Sequence, residues 1–246
     1  MSIESAEDWN GLRRAGRIAH LTLEALEASV RPGITTAELD AVAAGVFDAH
    51  GARSAPALVY GFPGTVLISV NDEVVHGVPG PTRLAAGDVV KLDVTLEKDG
   101  YVADAARTVI VGSGTDVAER LVACATSAFT AALLVARAGT KVNEISRVVE
   151  GEVRQRGFTV VRGLAGHGVG RTIHEAPSVP NHYDPRQSDV LTDGLVLTIE
   201  PIISAGSERT RQDRDGWTIR TRDGSLAAHY EHTLVITRDR PIVLTR

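Results

Sequence analysis

Two aspartates, Asp93 and Asp104, stand inside apolar, β-branched runs, VVKLDVTL and YVADAARTVIV, separated by Lys98-Asp99-Gly100. Asp-Gly between two such runs is a strong hairpin signal. With Asp99-Gly100 as a two-residue turn, Asp104 faces Thr95, and Asp93 lies two residues along on the same side of the sheet. The carboxylates are then diagonal neighbours within roughly 7–8 Å by backbone. Like charges on a buried face are costly unless a cation lies between them. A pair of exposed strand carboxylates is the competing reading.

Four further contexts carry chemistry-bearing side chains. His167 lies in Gly-His-Gly-Val-Gly at 166–170, followed by His174-Glu175, and glycines on both sides permit a close backbone approach. Glu200 ends the run Leu197-Thr198-Ile199 and is stopped by Pro201; Glu231, in His229-Tyr230-Glu231-His232, opens the apolar run Leu234-Val235-Ile236. His76 follows Val74-Val75. A structural histidine or a surface acid competes with the functional reading at each of these positions, and His20, His50 and His182 have no such context. Four carboxylates and one imidazole are too oxygen-rich and too anionic for one structural zinc. They suit a pair of first-row divalent ions that share bridging carboxylates and activate a water.

The elements around these residues follow from periodicity. Leu12, Ala15, Ile18, Ala19, Leu23 and Leu26 recur at helical steps and predict a helix from about Ser5 to Ser29, with a break at Pro32-Gly33. Thr35-Thr36-Ala37-Glu38 is a capping-box pattern opening a second helix that stops near Gly51. After Pro56, glycine, proline and β-branched residues predict loops and strands. Strands at Val89–Leu96 and Tyr101–Val111 follow, then a helix from Asp116 to Arg137 and a shorter one from Val142 to Gly157. Gly33, Glu38 and Gly51 match Gly139, Glu144 and Gly157 at one constant offset. That suggests a faint internal duplication, with the two halves sharing one sheet.

The chain has 246 residues, 43% hydrophobic and 23% charged, with a formal charge of −5. These values describe an ordinary folded domain and exclude collagen-like or disordered classes. The basic residues are scattered, which argues against nucleic acid or an anionic membrane as a main partner. Cys124 is the only cysteine, so disulfides and thiolate zinc sites are excluded. The N-terminal stretch has no apolar core of a signal peptide and no run approaches a membrane span, so a cytoplasmic protein is expected.

In its motifs the chain resembles the type I methionine aminopeptidases, of the pita-bread metallopeptidase fold, over nearly its whole length. The carrying stretches are SVNDEVVHG (69–77), KLDVTLEKDGYVADAARTVIVG (91–112), GHGVGRTIHEAP (166–177), LTIEP (197–201) and YEHT (230–233). The resemblance implies an α+β, pita-bread (creatinase/aminopeptidase) fold: a pseudo-two-fold antiparallel sheet with two helix pairs on one face, as one catalytic domain over 1–246. It implies that Asp93, Asp104, His167, Glu200 and Glu231 bind two divalent metal ions drawn from Mn, Fe(II), Co or Zn. Asp104 and Glu231 would bridge the ions, Asp93 would chelate one, and His167 with Glu200 would hold the other. His76 and His174 would assist at the scissile bond and Glu200 would carry the proton, while a dimetal-activated hydroxide removes the N-terminal methionine of nascent peptides. A monomer is the family expectation.

The pocket is where the motifs depart from the family. Tyr60, Phe62 and Trp217 keep its aromatic character. Leu67 stands where the family has Cys, Thr or Ser, and Ile173 stands where it has an aromatic residue. A branched Leu67 would narrow the pocket, and a methylene or two shifts selection by only ~1–3 kcal/mol. Two alternatives remain at this point: a same-fold enzyme of altered preference, Xaa-Pro or other, and a non-catalytic pita-bread binding protein.

Overall fold

The computed structural model describes all 246 residues, Met1–Arg246. Five helices form: α1 (Ala6–Ser29), α2 (Thr36–His50), α3 (Ala55–Tyr60), α4 (Asp116–Leu133) and α5 (Val142–Gln155). Ser5 caps α1 by accepting from Asp8 N, and Thr35 and Glu38 close the expected capping box on α2. Helix α3 corrects the expectation of loops and strands after Pro56. Ser54 caps it and Pro56 stands in its first turn, where a missing N–H costs nothing. Helix α4 ends at Leu133, four residues short of Arg137.

The hairpin forms in the predicted register. Strand Val89–Lys98 pairs with Tyr101–Ile110, Thr95 faces Asp104, and Asp99 and Gly100 both take positive φ, 51° and 83°, as the two-residue turn demands. This hairpin belongs to a nine-stranded sheet. At its centre Tyr101–Ile110 meets Glu231–Val235, which continues to Val196–Ile199 and then Ala165–Gly168.

Alternation along these strands sorts the side chains. Leu92, Val94 and Leu96 pack with residues of α1 and α2, and Leu197, Ile199 and Leu234 pack with residues of α4 and α5. Asp93, Asp104, Glu200 and Glu231 therefore lie on the opposite face from both helix pairs. The two largest apolar clusters, of 30 and 21 buried residues, each belong mainly to one half of the chain.

The duplication holds in hydrogen-bonding detail. Gly33 N donates to Leu84 O as Gly139 N does to Leu191 O, and Leu84 N donates to Ile34 O as Leu191 N does to Thr140 O. Gly87 N donates to Val111 O as Gly194 N does to Ile236 O. The bridges Thr35–Arg83 and Lys141–Val190 correspond in the same way. Under this pseudo-symmetry Asp93 and Glu200 occupy equivalent positions.

Candidate metal centre

Asp93, Asp104, His167, Glu200 and Glu231 line one cavity of about 380 Å³, together with His76, His174 and His229. Asp104, Glu200 and Glu231 are each at least nine-tenths buried. Thr95 Oγ1 donates to Asp104 Oδ1 at 2.8 Å, and Thr198 Oγ1 donates to Glu200 Oε1 at 2.9 Å. These hydroxyls fix one oxygen of each carboxylate. Glu231 Oε1 has no hydrogen-bond partner at all.

No arginine or lysine bonds to any of the four acids; the only basic groups near them are imidazoles. Burial and then the neighbouring acids hold Asp93, Asp104 and Glu200 well above the usual carboxylate range. Burial pushes Glu231 up to about 8. Such a set is unfavourable by itself and is relieved by cations of high charge. The orphaned Glu231 oxygen and the hard, oxygen-rich donors fit first-row divalent ions.

His167 is oriented for this role. Its Nδ1 lies 2.9 Å from Gly168 O, a group that can only accept, so Nδ1 carries the proton and the Nε2 lone pair faces the acids. Nε2 stands 3.6 Å from Glu200 Oε1 and 3.9 Å from Asp104 Oδ2. Burial lowers the His167 pKa to about 4, which keeps the ring neutral. The flanking glycines are required, though by neighbouring strands and not by a ligand. A Cβ at Gly166 would meet Thr198 O at 2.6 Å, and one at Gly168 would meet Ala176 O at 2.2 Å.

His174 and His76 border the acids. The His174 ring centroid is 4.2 Å from that of His167, and its Nδ1 is 2.6 Å from the Tyr60 hydroxyl. His76 takes φ +60°, an uncommon conformation for a residue with a side chain. Burial and then the neighbouring histidines lower its pKa to about 4. All five pocket residues expected from the sequence, Tyr60, Phe62, Leu67, Ile173 and Trp217, line the same cavity. Phe62 and Trp217 meet edge to face at 5.3 Å, and Leu67 is paired across the sheet with Asp93.

Sequence reasoning missed His229. It is 2% exposed, and its Nε2 lies 3.3 Å from Glu231 Oε2 and 3.8 Å from Glu200 Oε2. Its spacing of two from Glu231 was the available signal, since residues i and i+2 of an extended segment share a face. His232 points the other way and is satisfied by Thr245 and Tyr230.

Comparison with known proteins identifies the family and the fold. The chain is 42% identical to a protein named methionine aminopeptidase 2 from Bacillus subtilis (strain 168), over the whole of both chains. It is 41% identical to methionine aminopeptidase from Escherichia coli (strain K12), covering all of this chain and 94% of that one. The crystal structure of methionine aminopeptidase from Thermotoga maritima superposes with a TM-score of 0.97 at 33% identity, covering both chains fully. A prolidase from Pyrococcus furiosus shares the fold at a TM-score of 0.80 and 22% identity, but this chain spans only 65% of it. No helix is long and apolar enough to cross a membrane. Residues 10–238 match the model of metallopeptidase family M24, and the chain belongs to that family.

Proposed function

We infer that the protein is a methionyl aminopeptidase, one catalytic domain over residues 1–246 that removes N-terminal methionine from nascent proteins and peptides. The observation that carries this reading is the group of four uncompensated acids and one lone-pair-bearing imidazole, at the base of a cavity whose walls are apolar and aromatic. Asp93, Asp104, His167, Glu200 and Glu231 would hold two divalent ions, from among Mn, Fe(II), Co and Zn. Those ions, when bound, supply Lewis-acid polarisation and a lowered pKa for water.

The protein's own groups do the rest. Glu200, with one oxygen held by Thr198, is the carboxylate placed to carry a proton from water to the departing amine. His174, steadied by Tyr60, donates to the developing oxyanion of the first peptide bond, and His76 borders the same bond. Tyr60, Phe62, Leu67, Ile173 and Trp217 enclose the methionine side chain and exclude water from it. With ions held by these acids, the site would favour a substrate bearing a free α-amino group, which restricts cleavage to the chain's first bond.

The test is release of the first residue from Met-Ala-Ser and from matched Leu-, Ala- and Ala-Pro-initiated peptides. Protein is stripped of metal and then given Mn, Co, Fe(II) or Zn. Methionine release that depends on added metal is expected. Release of a different residue overturns the substrate, and no release with any metal overturns the enzyme.

A further inference from the structure

We propose that His229 is a sixth metal ligand, so that each ion of the pair has a nitrogen donor of its own; this rests on the dimetal reading above. Two groups of donor atoms lie within 4.8 Å of one another: Asp104, His167 and Glu231, and Glu200, His229 and Glu231. Each group contains one imidazole, and Glu231 belongs to both. Two donors that each lie about 2.0–2.2 Å from one ion stand roughly 2.8–3.6 Å apart at octahedral or tetrahedral angles. The 3.3 Å from His229 Nε2 to Glu231 falls in that range and the 3.8 Å to Glu200 lies just outside it, as do the 3.6 Å and 3.9 Å of His167 respectively.

The ring makes no other bond. Both His229 nitrogens are buried without a hydrogen-bond partner, so the 3.3 Å approach to Glu231 is not an aligned N–H contact. An imidazole present only to steady Glu231 would aim its N–H at that carboxylate.

Pseudo-symmetry supplies an independent argument. Thr233 Oγ1 accepts from Asp104 N and donates to Asp104 O. Thr108 Oγ1 accepts from His229 N and donates to His229 O. The two clamps are the same device in the two halves, and they place His229 where the first half has Asp104. One half thus presents a bridging carboxylate from this position and the other an imidazole. A second nitrogen moves the site's preference from Mn toward Co and Zn.

X-ray absorption on the full-length protein, stripped and reloaded with two equivalents of Co(II) or of Zn, tests this through imidazole scattering. One imidazole per ion is expected in the wild type, falling to one per two ions in His229→Gln. The affinity for the second Co or Zn should fall at least about tenfold in that variant, and that for Mn by less. Glutamine keeps a side-chain donor, so a role confined to hydrogen bonding would leave the imidazole count unchanged and is overturning. So is a wild-type count of one imidazole per two ions, which needs no variant to fold. Uptake of two ions with two imidazoles but no methionine release would leave the ligand assignment standing and overturn the peptidase reading instead.

Discussion

The molecule contains two clusters of acids on the same side of the sheet, and they are neutralised in opposite ways. Asp72, Glu73 and Asp213 surround Arg220, whose guanidinium gives one N–H to each: Nη1 to Asp72 and Nη2 to Glu73, both at 2.6 Å, and Nε to Asp213. Asp93, Asp104, Glu200 and Glu231 have no such partner, and their neighbours are neutral imidazoles and hydroxyls. The first cluster joins the short strand Glu73–Val75 to Ile219–Thr221 and is complete within the chain. The second is left for an exchangeable cation. A built-in arginine makes structure, whereas an acid set without one makes a site whose charge is supplied from solution.

The largest effect should come from the second cluster. Asp104→Ala removes a carboxylate proposed to bridge the ions, and turnover should fall by about 10²–10³-fold or more with weakened metal loading. Wild-type turnover in that variant, measured at saturating metal, would sink the dimetal assignment.

Metal-free protein should show the repulsion directly as pH-dependent stability. The carboxylates have raised pKa values when folded, so their contribution is fully present below the unfolded value and is lost as pH rises through the folded one. Glu231, at about 8, places part of this loss across neutral pH. His76, His167 and His229 are lowered to about 4 and act oppositely, but only below their unfolded value of 6.5. Between pH 6.5 and about 8 the acids are opposed only by buried Lys91, whose pKa is lowered to about 7, and stability in chelator should fall by on the order of a few kcal/mol. Urea midpoints that stay level across this window would show that the acids are already compensated.

Arg220→Gln should break the other cluster. The side chain is 24% exposed and Arg211 still pairs with Asp213, so losing its bonds to the three acids should cost about 1–3 kcal/mol, less than for a fully buried pair. That corresponds to a fall in Tm of roughly 2–4 °C per kcal/mol for a chain of this size. Methionine release at saturating metal should survive; its loss would mean the two clusters are not separable. The smallest effect is expected at the wall. Leu67→Thr should raise turnover of Met-initiated peptides by roughly tenfold or less, and no change or a fall would show that Leu67 does not narrow the pocket.

Much of this arrangement was legible from residue types in register. The Asp-Gly turn set the hairpin, and the hairpin set Asp104 against Thr95, because a period of two leaves no freedom once the turn is placed. The paired glycines and glutamates disclosed the two halves. His229 was only partly legible: its spacing of two from Glu231 puts it on the same face, but a buried histidine is as often structural, and only the sheet seam shows which residue it mirrors. Helix α3 was hidden by Pro56, which breaks a helix interior yet is at ease in a first turn. The early end of α4 was hidden for a different reason: Val135 and Ala136 continue the apolar pattern as packing residues after the helix has stopped.

The threonine clamps at the seam have a consequence for how such a site can change. Within the main sheet, the halves meet through two residue pairs, Ala106 with Glu231 and Ala105 with His232. Thr108 and Thr233 hold the backbones of His229 and Asp104 through both polar groups of each residue. Neither clamp uses the imidazole or the carboxylate. Positions 104 and 229 are therefore sockets: the side chain plugged into either can be exchanged over evolutionary time while the backbone stays anchored. With ions held at these positions as proposed, metal preference would be a trait that single substitutions can tune, on a frame that does not have to be rebuilt each time.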